Sequence, residues 1–121
     1  MLAARDAADV FLVYTEIPLD PDRRADALAL VDDLAPAARD VPGVVRYRPA
    51  VSTDDDCVLH FFEQYADREA VEAKEALPEY EAFARALPDI AAGELETVQA
   101  ALEEPPAAVE FDPEEAVPDD D

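Results

Sequence analysis

The chain has 121 residues and a formal net charge of −22, because 31 Asp and Glu outnumber 9 Lys and Arg. This length fits one domain, and a hydrophobic content of 50% is too high for a disordered polyanion. Nucleic acid and anionic membrane surfaces are excluded as expected partners, since both require a basic surface that this composition lacks.

Scarce residue types exclude several kinds of site. Two Gly are too few for a P-loop or a dinucleotide-binding turn, and Cys57 and His60 alone cannot form a four-ligand zinc site. A Ser-His-Asp triad would need Ser52 and His60, which lack a nucleophile-elbow sequence. We expect no metal site. A single cysteine suits a reducing compartment, and no apolar run approaches the ~20 residues of a membrane span, so we expect a soluble cytoplasmic protein.

The predicted elements begin with a strand. Val10 to Ile17 is rich in residues that favour strands and is apolar at both odd and even positions, which predicts a strand covered on both faces. Asp20 followed by Pro21 is typical of a helix N-terminus. Pro36 should kink or shorten the last turns of this helix. Its apolar stripe recurs at helical spacing and comprises Leu28, Val31, Leu34, Ala35 and Ala38.

Two further strands are predicted after the first helix. Pro42-Gly43 ends the helical region and precedes a second strand, Val44 to Arg48. Ser52 to Asp56 is a polar, hairpin-like turn, and Cys57 to Tyr65 is the third strand.

The last elements are helical and then extended. Asp67 is the expected N-cap of a second helix, Pro78 restarts that helix, and Pro88 and Gly93 end it. Leu95 to Leu102 predicts a fourth, weaker strand. The order β-α-β-β-α-β predicts a ferredoxin-like α+β fold, in which a four-stranded antiparallel sheet carries helices on one face.

The charge divides the chain into two parts. Residues 103–121 contain nine carboxylates, four prolines and no basic residue. We therefore expect an α+β domain over residues 1–102 and a mostly disordered, acidic, Pro-rich tail over residues 103–121.

Alternation in the third strand predicts self-association. Phe61 should point to one face of the sheet, and His60 and Phe62 to the other. Because two short helices can cover only one face, the other apolar face needs a partner, and a second copy of the chain is the simplest one. We expect a homodimer.

The kind of charge carries its own information. Eight of the nine basic residues are Arg and only Lys74 is Lys, and this composition resembles that of proteins from halophilic archaea with a salt-rich cytoplasm. In molar salt the Debye length falls to about 3 Å, which screens the self-repulsion. Salt adaptation is therefore favoured over an acidic binding surface.

Two segments resemble the antibiotic biosynthesis monooxygenase family over about residues 8–102. They are Pro42-Gly43-Val44-Val45-Arg46-Tyr47 and Phe61-Phe62-Glu63-Gln64-Tyr65-Ala66-Asp67-Arg68-Glu69-Ala70, the second continued by Lys74, Leu77-Pro78, Tyr80 and Phe83. The resemblance implies a dimeric α/β barrel with an apolar pocket between sheet and helices. Family members oxidise quinols or polyketide phenols with dioxygen and without a cofactor, and a subgroup binds haem.

The resemblance also supplies candidate site residues. Tyr65 stands where the family pattern has Trp, Lys74 and Glu79 stand where it has His, and Glu63 is retained. Lys74 or His60 is the candidate base and Tyr65 the donor or orienting group. The expected pocket wall consists of Phe61, Tyr47, Tyr80 and Phe83. We expect no cofactor, and the missing ligand-type His argues against haem.

Each candidate also has a purely structural interpretation. Glu63 could instead form an ion pair with Arg46, Arg48 or Arg68. Tyr65 could be a rim aromatic with its hydroxyl in water, and His60 a packing residue. Lys74 could be a helix-surface residue paired with Asp67 or Glu75.

Two functions follow from these alternatives. The first is a cofactor-independent monooxygenase that acts on a quinol or another phenolic small molecule. The second is a non-catalytic dimeric module of the same fold, which binds a small apolar ligand or serves a structural role.

Overall fold

The computed structural model describes residues 10–118, in which strands and helices follow the predicted order. The second predicted helix is divided at Pro78. The elements are β1 (Val10–Pro18), α1 (Arg24–Arg39), β2 (Val44–Val51), β3 (Val58–Tyr65), α2 (Arg68–Glu75), α3 (Pro78–Ile90) and β4 (Glu96–Leu102), with 3₁₀ turns at Pro21–Arg23 and Pro113–Ala116.

The four strands form one antiparallel sheet in the order β2-β3-β1-β4, so the predicted ferredoxin-like α+β fold is confirmed. Glu63 on β3 pairs with both Tyr47 on β2 and Val13 on β1, and Val13 pairs with Gln99 on β4. These four residues form a row across one face of the sheet, because directly paired residues share a face.

All helices pack on the same face, where the core lies. Ile17, Leu59 and Phe61 of the sheet are almost fully buried against apolar residues of α1 and α3. The rings of Phe61 and Phe83 meet edge to face with their centroids 5.6 Å apart. Burial of this face orients α3 and thereby the side chains that follow Pro78.

The opposite face of the sheet is open in the single chain. Tyr14, Phe62 and Val98 lie on it and are 36%, 41% and 59% exposed. The expectation that β1 is covered on both faces is therefore wrong for one copy, because α1, α2 and α3 all lie on the other side. We name this surface, formed by the side chains of Tyr14, Phe62, Val98 and their row neighbours, the outer face.

Two prolines lie inside helices that they were expected to shorten or end. Helix α1 continues past Pro36 to Arg39. Helix α3 ends at Ile90, between Pro88 and Gly93, as the sequence predicts. Both prolines lie in the last turns, where few later hydrogen bonds can be lost. The carbonyl of Pro36 still accepts from the Asp40 amide at 3.2 Å, and the burial of neighbouring residues outweighs the cost of the ring.

The start of α2 is held against β2 by a cap and a glycine. The Asp67 carboxylate accepts from the amide of Ala70 at 2.9 Å, as the capping pattern predicts. Gly43 has a φ of 90°, and a Cβ at this position would lie 2.8 Å from Cβ of Ala70. Only glycine accommodates both this backbone and this approach, so Gly43 determines how closely α2 lies on the sheet.

After β4 the described chain contains only the short turn at Pro113–Ala116, and most of its side chains are exposed. The division into a domain of residues 1–102 and a tail of residues 103–121 stays a prediction, and residues 1–9 and 119–121 lie outside the described chain. Among residues 10–118, no helix has the length and apolar character needed to cross a membrane.

Substitution of Gly43 tests the packing of α2. Gly43→Ala should lower the free energy of unfolding by about 2–4 kcal/mol, since it combines a disfavoured backbone conformation with overpacking against Ala70. Gly93→Ala is the matched control, because its Cβ would meet only Pro18 at 3.8 Å, and it should change stability by less than about 1 kcal/mol. Urea unfolding in molar KCl measures both variants. Equal effects would show that α2 does not depend on the glycine.

Candidate functional site

A cavity of about 260 Å³ lies between the sheet and helices α2 and α3. Sheet residues at its wall are Val13, Thr15, Ile17, Tyr47, Phe61, Glu63, Tyr65, Thr97 and Gln99, and Leu95 adjoins them just before β4. Helix residues at its wall are Val71, Lys74, Glu75, Tyr80, Phe83, Ala84 and Leu87. The space between sheet and helices is therefore a pocket with a mixed apolar and polar wall.

Lys74 enters this pocket from the last turn of α2. Ala70, Val71 and Lys74 recur at helical spacing and form the buried face of that helix. Lys74 is only 5% exposed, and its Nζ lies 3.8 Å from Oε1 of Glu63. The amine is thus removed from water and paired with a buried carboxylate, while Glu75 lines the same cavity.

Glu63 is held in turn by the next residue on its own face of β3. Glu63 and Tyr65 are two positions apart and therefore point to the same side of the sheet. The hydroxyl of Tyr65 donates to Oε1 of Glu63, and both residues are buried. Tyr65 thereby orients the carboxylate that faces Lys74.

Three tyrosine rings surround the Lys74 amine. Its Nζ lies 4.1 Å from the ring centroid of Tyr80, 5.8 Å from that of Tyr65 and 5.9 Å from that of Tyr47. The negative ring faces attract an ammonium ion. The cage therefore stabilises the protonated form of an amine that burial otherwise destabilises.

Burial dominates the electrostatics of the pair. It lowers the pKa of Lys74 below the ordinary 10.5, although the negative charge of Glu63 acts in the opposite direction. It also raises the pKa of Glu63 above the ordinary 4.5, partly offset by Lys74 and by the Tyr65 hydrogen bond. Both shifts bring the proton affinities of the amine and of the carboxylate closer together. Lys74 can therefore act as a base.

The tyrosines remain protonated beside this pair. Burial, followed by the charge of Glu63, raises the pKa of Tyr65 and of Tyr47 well above the ordinary 10.0. The hydroxyl proton of Tyr65 is already donated to Glu63. Tyr65 is thus an orienting group in this arrangement.

A second polar group lies across the cavity, on β1 and β4. The hydroxyls of Thr15 and Thr97 are 3.2 Å apart and hydrogen-bonded, and Gln99 lines the same wall. Thr97 and Gln99 are exposed because none of α1, α2 and α3 covers β4, so among residues 10–118 the pocket opens to solvent on this side. Thr15, Thr97 and Gln99 are not among the site residues that the sequence predicts. Their alternate spacing in a predicted strand was the available signal, but only the sheet register pairs Thr97 with Thr15.

The structure brings most of the candidate residues together and leaves one apart. Lys74, Tyr65 and Glu63 meet in the pocket, and the expected wall residues all line it, namely Phe61, Tyr47, Tyr80 and Phe83. His60 lies on the outer face instead, since its parity on β3 is opposite to that of Glu63. The candidate base in this pocket is therefore Lys74.

His60 belongs to a hydrogen-bonded chain on the outer face. Its Nδ1 lies 2.5 Å from the hydroxyl of Tyr14, and its Nε2 contacts Oγ of Ser52. Tyr14 also donates to Glu16 at 3.3 Å. Ser52 and His60 thus do meet, with a tyrosine as the third member of the chain.

Three structural alternatives for the pocket residues are wrong. Glu63 pairs with Lys74, while Arg46 donates to Gln64 and Arg68 pairs with Glu72. Arg46 and Arg48 lie on the face of the sheet opposite Glu63, and the Arg68 side chain is 53% exposed on α2.

The surface interpretations fail for a related reason. Lys74 is not a helix-surface residue, since the face of α2 that carries it packs on the sheet. Tyr65 is not a rim aromatic, because it is 1% exposed and its hydroxyl bonds to Glu63.

Comparison with known sequences identifies a family. The sequence profile of the antibiotic biosynthesis monooxygenases matches residues 10–86, which span β1 to most of α3. The matched segment includes Glu63, Tyr65, Lys74 and Tyr80. No match is found among curated proteins.

Solved structures share the fold at low sequence identity. A candidate antibiotic biosynthesis monooxygenase from Bacteroides thetaiotaomicron has a TM-score of 0.73 and 21% identity, over 87% of this chain and 100% of that one. A Mycobacterium tuberculosis protein has a TM-score of 0.72 and 21% identity, over 81% and 99%. A candidate antibiotic biosynthesis monooxygenase from Caulobacter crescentus has a TM-score of 0.71 and 20% identity, over 81% and 93%. At these identities the likeness establishes the fold.

Removal of the amine tests the buried pair. Lys74→Met should lower the free energy of unfolding by about 3–5 kcal/mol near pH 8, because it leaves Glu63 as a buried carboxylate without a cation. The loss relative to wild type should shrink toward pH 5. A carboxyl whose folded-state pKa is raised loses stability as pH rises from 4.5 through that pKa.

The double variant Glu63→Gln, Lys74→Met is the control, since it has no ionisable group at either position. The free energy of unfolding that the double variant loses relative to the wild type should change less with pH than the loss in Lys74→Met. Denaturant unfolding at both pH values in molar KCl provides the comparison. If Lys74→Met lost the same free energy of unfolding at pH 5 and at pH 8, the titration of Glu63 would not be the cause of the loss.

Proposed function

The chain belongs to the antibiotic biosynthesis monooxygenase family, and we propose that it is a cofactor-independent monooxygenase acting on a quinol or another phenolic small molecule. The observation that carries this proposal is the environment of Lys74. Its amine is buried beside a cavity, paired with Glu63 and surrounded by tyrosine rings. A phenol that enters the cavity meets a base whose pKa has been lowered toward its own.

The size of the cavity favours a small substrate. Its volume is about 260 Å³, below the ~300–1,000 Å³ of pockets for drug-sized ligands. A cavity of about 150 Å³ holds benzene. The proposed substrate therefore has one aromatic ring or two fused rings, and larger polyketides would have to extend through the open side at β4.

The first step transfers a proton within the pocket. The O–H bond of the substrate breaks, its proton passes to Nζ of Lys74, and the electron pair stays on the phenolic oxygen. The new ammonium is stabilised by Glu63 and by the ring of Tyr80, 4.1 Å away. Tyr65 keeps the carboxylate in place throughout.

The second step uses the electron-rich anion as the reductant for dioxygen. A ring carbon forms a bond to oxygen and loses its hydrogen. The second oxygen atom leaves as water. A hydroquinone supplies all four electrons, so hydroquinone and O₂ yield a hydroxylated quinone and H₂O. Phe61 and Phe83 line the apolar part of the wall, which limits the access of water to the reactive anion.

Oxygen uptake with a panel of hydroquinones in molar KCl tests this function. The wild type should consume oxygen above a boiled control. Lys74→Met should lower kcat/KM by about 10²–10⁴-fold, because it removes the base. Tyr65→Phe should have a smaller effect, since Tyr65 acts through Glu63. The value of kcat/KM should rise with pH and level off below pH 10.5, once Lys74 is neutral.

Arg85→Met is the matched control, because Arg85 is an exposed cation on α3 that pairs with Glu81 outside the cavity. It should retain wild-type activity. No uptake by the wild type would instead favour the non-catalytic ligand-binding or structural module.

We also propose that the outer face joins two copies of the chain. Its centre is apolar and exposed at Tyr14, Phe62 and Val98. Arg48 on β2 shares this face with Phe62, and Glu96 on β4 shares it with Glu16 on β1, so opposite charges flank the apolar centre. A two-fold axis parallel to the strands places β2 of one copy over β4 of the other. This arrangement brings Arg48 of each copy toward the side of the partner that carries Glu16 and Glu96.

The proposed dimer and the proposed salt adaptation share one test. The molar mass from light scattering should correspond to a dimer in molar KCl and fall toward a monomer at low salt, because each copy carries a net charge of −22. Phe62→Asp should give a monomer in molar KCl. Phe111→Asp is the control, since Phe111 is also exposed, at 62%, but lies beyond β4. A dimer that persists in Phe62→Asp would place the interface elsewhere.

A further inference from the structure

The wall of the cavity opposite Lys74 is polar, although no proton transfer requires it to be. We propose that Thr15, Thr97 and Gln99 bind a second oxygen of the substrate, so that the site selects rings with oxygens on opposite edges. This inference rests on the proposed function in one respect, namely that Lys74 takes the first oxygen.

The strand register places the two polar ends at a suitable separation. Glu63, Val13 and Gln99 lie in one row on β3, β1 and β4. Neighbouring strands are about 4.8 Å apart, so the backbones of Glu63 and Gln99 are separated by about 10 Å. Thr15 and Thr97 are paired in the adjacent row. One aromatic ring with an oxygen at each end can bridge this distance.

The middle of the span suits the faces of such a ring. Val13 lies between Glu63 and Gln99 on the sheet. Phe61 lies on β3 beside Glu63, and the ring of Phe83 on α3 meets that of Phe61. These side chains offer contact area and no hydrogen bonds, so an oxygen placed there would lose its bonds to water. In the row of Glu63, Val13 and Gln99 the cavity wall is thus polar at both ends and apolar in the middle.

The two ends differ in charge, which assigns a different oxygen to each. Lys74 becomes an ammonium when it accepts a proton, and it then suits a phenolate. The Thr15–Thr97 pair and the Gln99 amide are neutral and offer both donors and acceptors. They suit a phenol that keeps its proton, and also the carbonyl that this oxygen becomes when the ring is oxidised to a quinone.

Thr15 differs from the polar residues that are expected on any exposed strand. Thr97 and Gln99 are exposed on an edge strand, where polar residues are expected without any ligand. Thr15 lies on the central strand β1, is half-buried, and uses its hydroxyl to bond with Thr97. The hydroxyl pair thus extends from the open edge into the pocket.

Binding measured without turnover tests the inference. Under an inert gas, titrations followed by tyrosine fluorescence should show that hydroquinone binds at least about 10-fold more tightly than phenol, because it gains the bonds at the second end. Catechol, whose oxygens share one edge of the ring, should bind like phenol. Thr97→Val and Gln99→Leu should each weaken hydroquinone binding about 3–10-fold and leave phenol binding unchanged.

Two controls separate hydrogen bonding from altered packing. Thr97→Ser keeps the hydroxyl and should retain the preference for hydroquinone. Thr53→Val makes the same chemical change in the exposed turn between β2 and β3 and should have no effect. Equal affinities of the wild type for phenol and hydroquinone would overturn the inference, and so would an equal loss of both ligands in Thr97→Val and Gln99→Leu.

The outcomes for binding and for turnover are independent. Selective binding of hydroquinone without oxygen uptake in air would refute the monooxygenase and support the two-ended site. Oxygen uptake without a binding preference for hydroquinone over phenol would support the monooxygenase and refute the two-ended site.

Discussion

The arrangement of the pocket depends on one buried contact, in which the amine of Lys74 faces the carboxylate of Glu63 at 3.8 Å. Removing either charge from water costs several kcal/mol, and the attraction offsets that cost only when the surrounding structure fixes the geometry. The supports are specific. Tyr65 bonds to the carboxylate, and Gly43 allows α2 to lie close enough for the amine to reach the sheet. The residues that place a helix on the sheet therefore also set the proton affinity of the pocket.

A second constraint is that the helices cover only one face of a four-stranded sheet. Side chains alternate along each strand, so Glu63 faces the pocket and its neighbour Phe62 faces outward. The covered face leaves a cavity above β1 and β3, because α2 and α3 are short and none of the helices in the described part of the chain extends over β4. The outer face keeps its apolar centre exposed. The proposed chemistry and the proposed self-association thus lie on opposite sides of the same strands, and a one-residue change of register on β3 would exchange the two sets of side chains.

Much of the fold could be predicted because its signals are local. Asp67 as a cap, Pro78 as a restart and the alternation of β3 each depend on a few adjacent residues. The departure concerns competition between local propensity and contacts with distant residues. Pro36 is a helix breaker by propensity, yet packing of the last turns of α1 against the core maintains the helix to Arg39. Propensity alone cannot predict that result, since the stabilising contacts come from other elements.

The candidate site likewise has features that depend on the sequence alone and features that depend on contacts between distant residues. The sequence by itself determined the order of the strands and helices, the family, the acidic excess and the identity of Lys74 as the sole lysine. It left open whether Lys74 lies on the surface or in a pocket, and whether Glu63 pairs with an arginine. Only the tertiary structure decided these points and added Thr15, Thr97 and Gln99 to the wall. The physical reason is that burial and pairing depend on residues far apart in the chain, and the sheet register and helix packing alone bring them together.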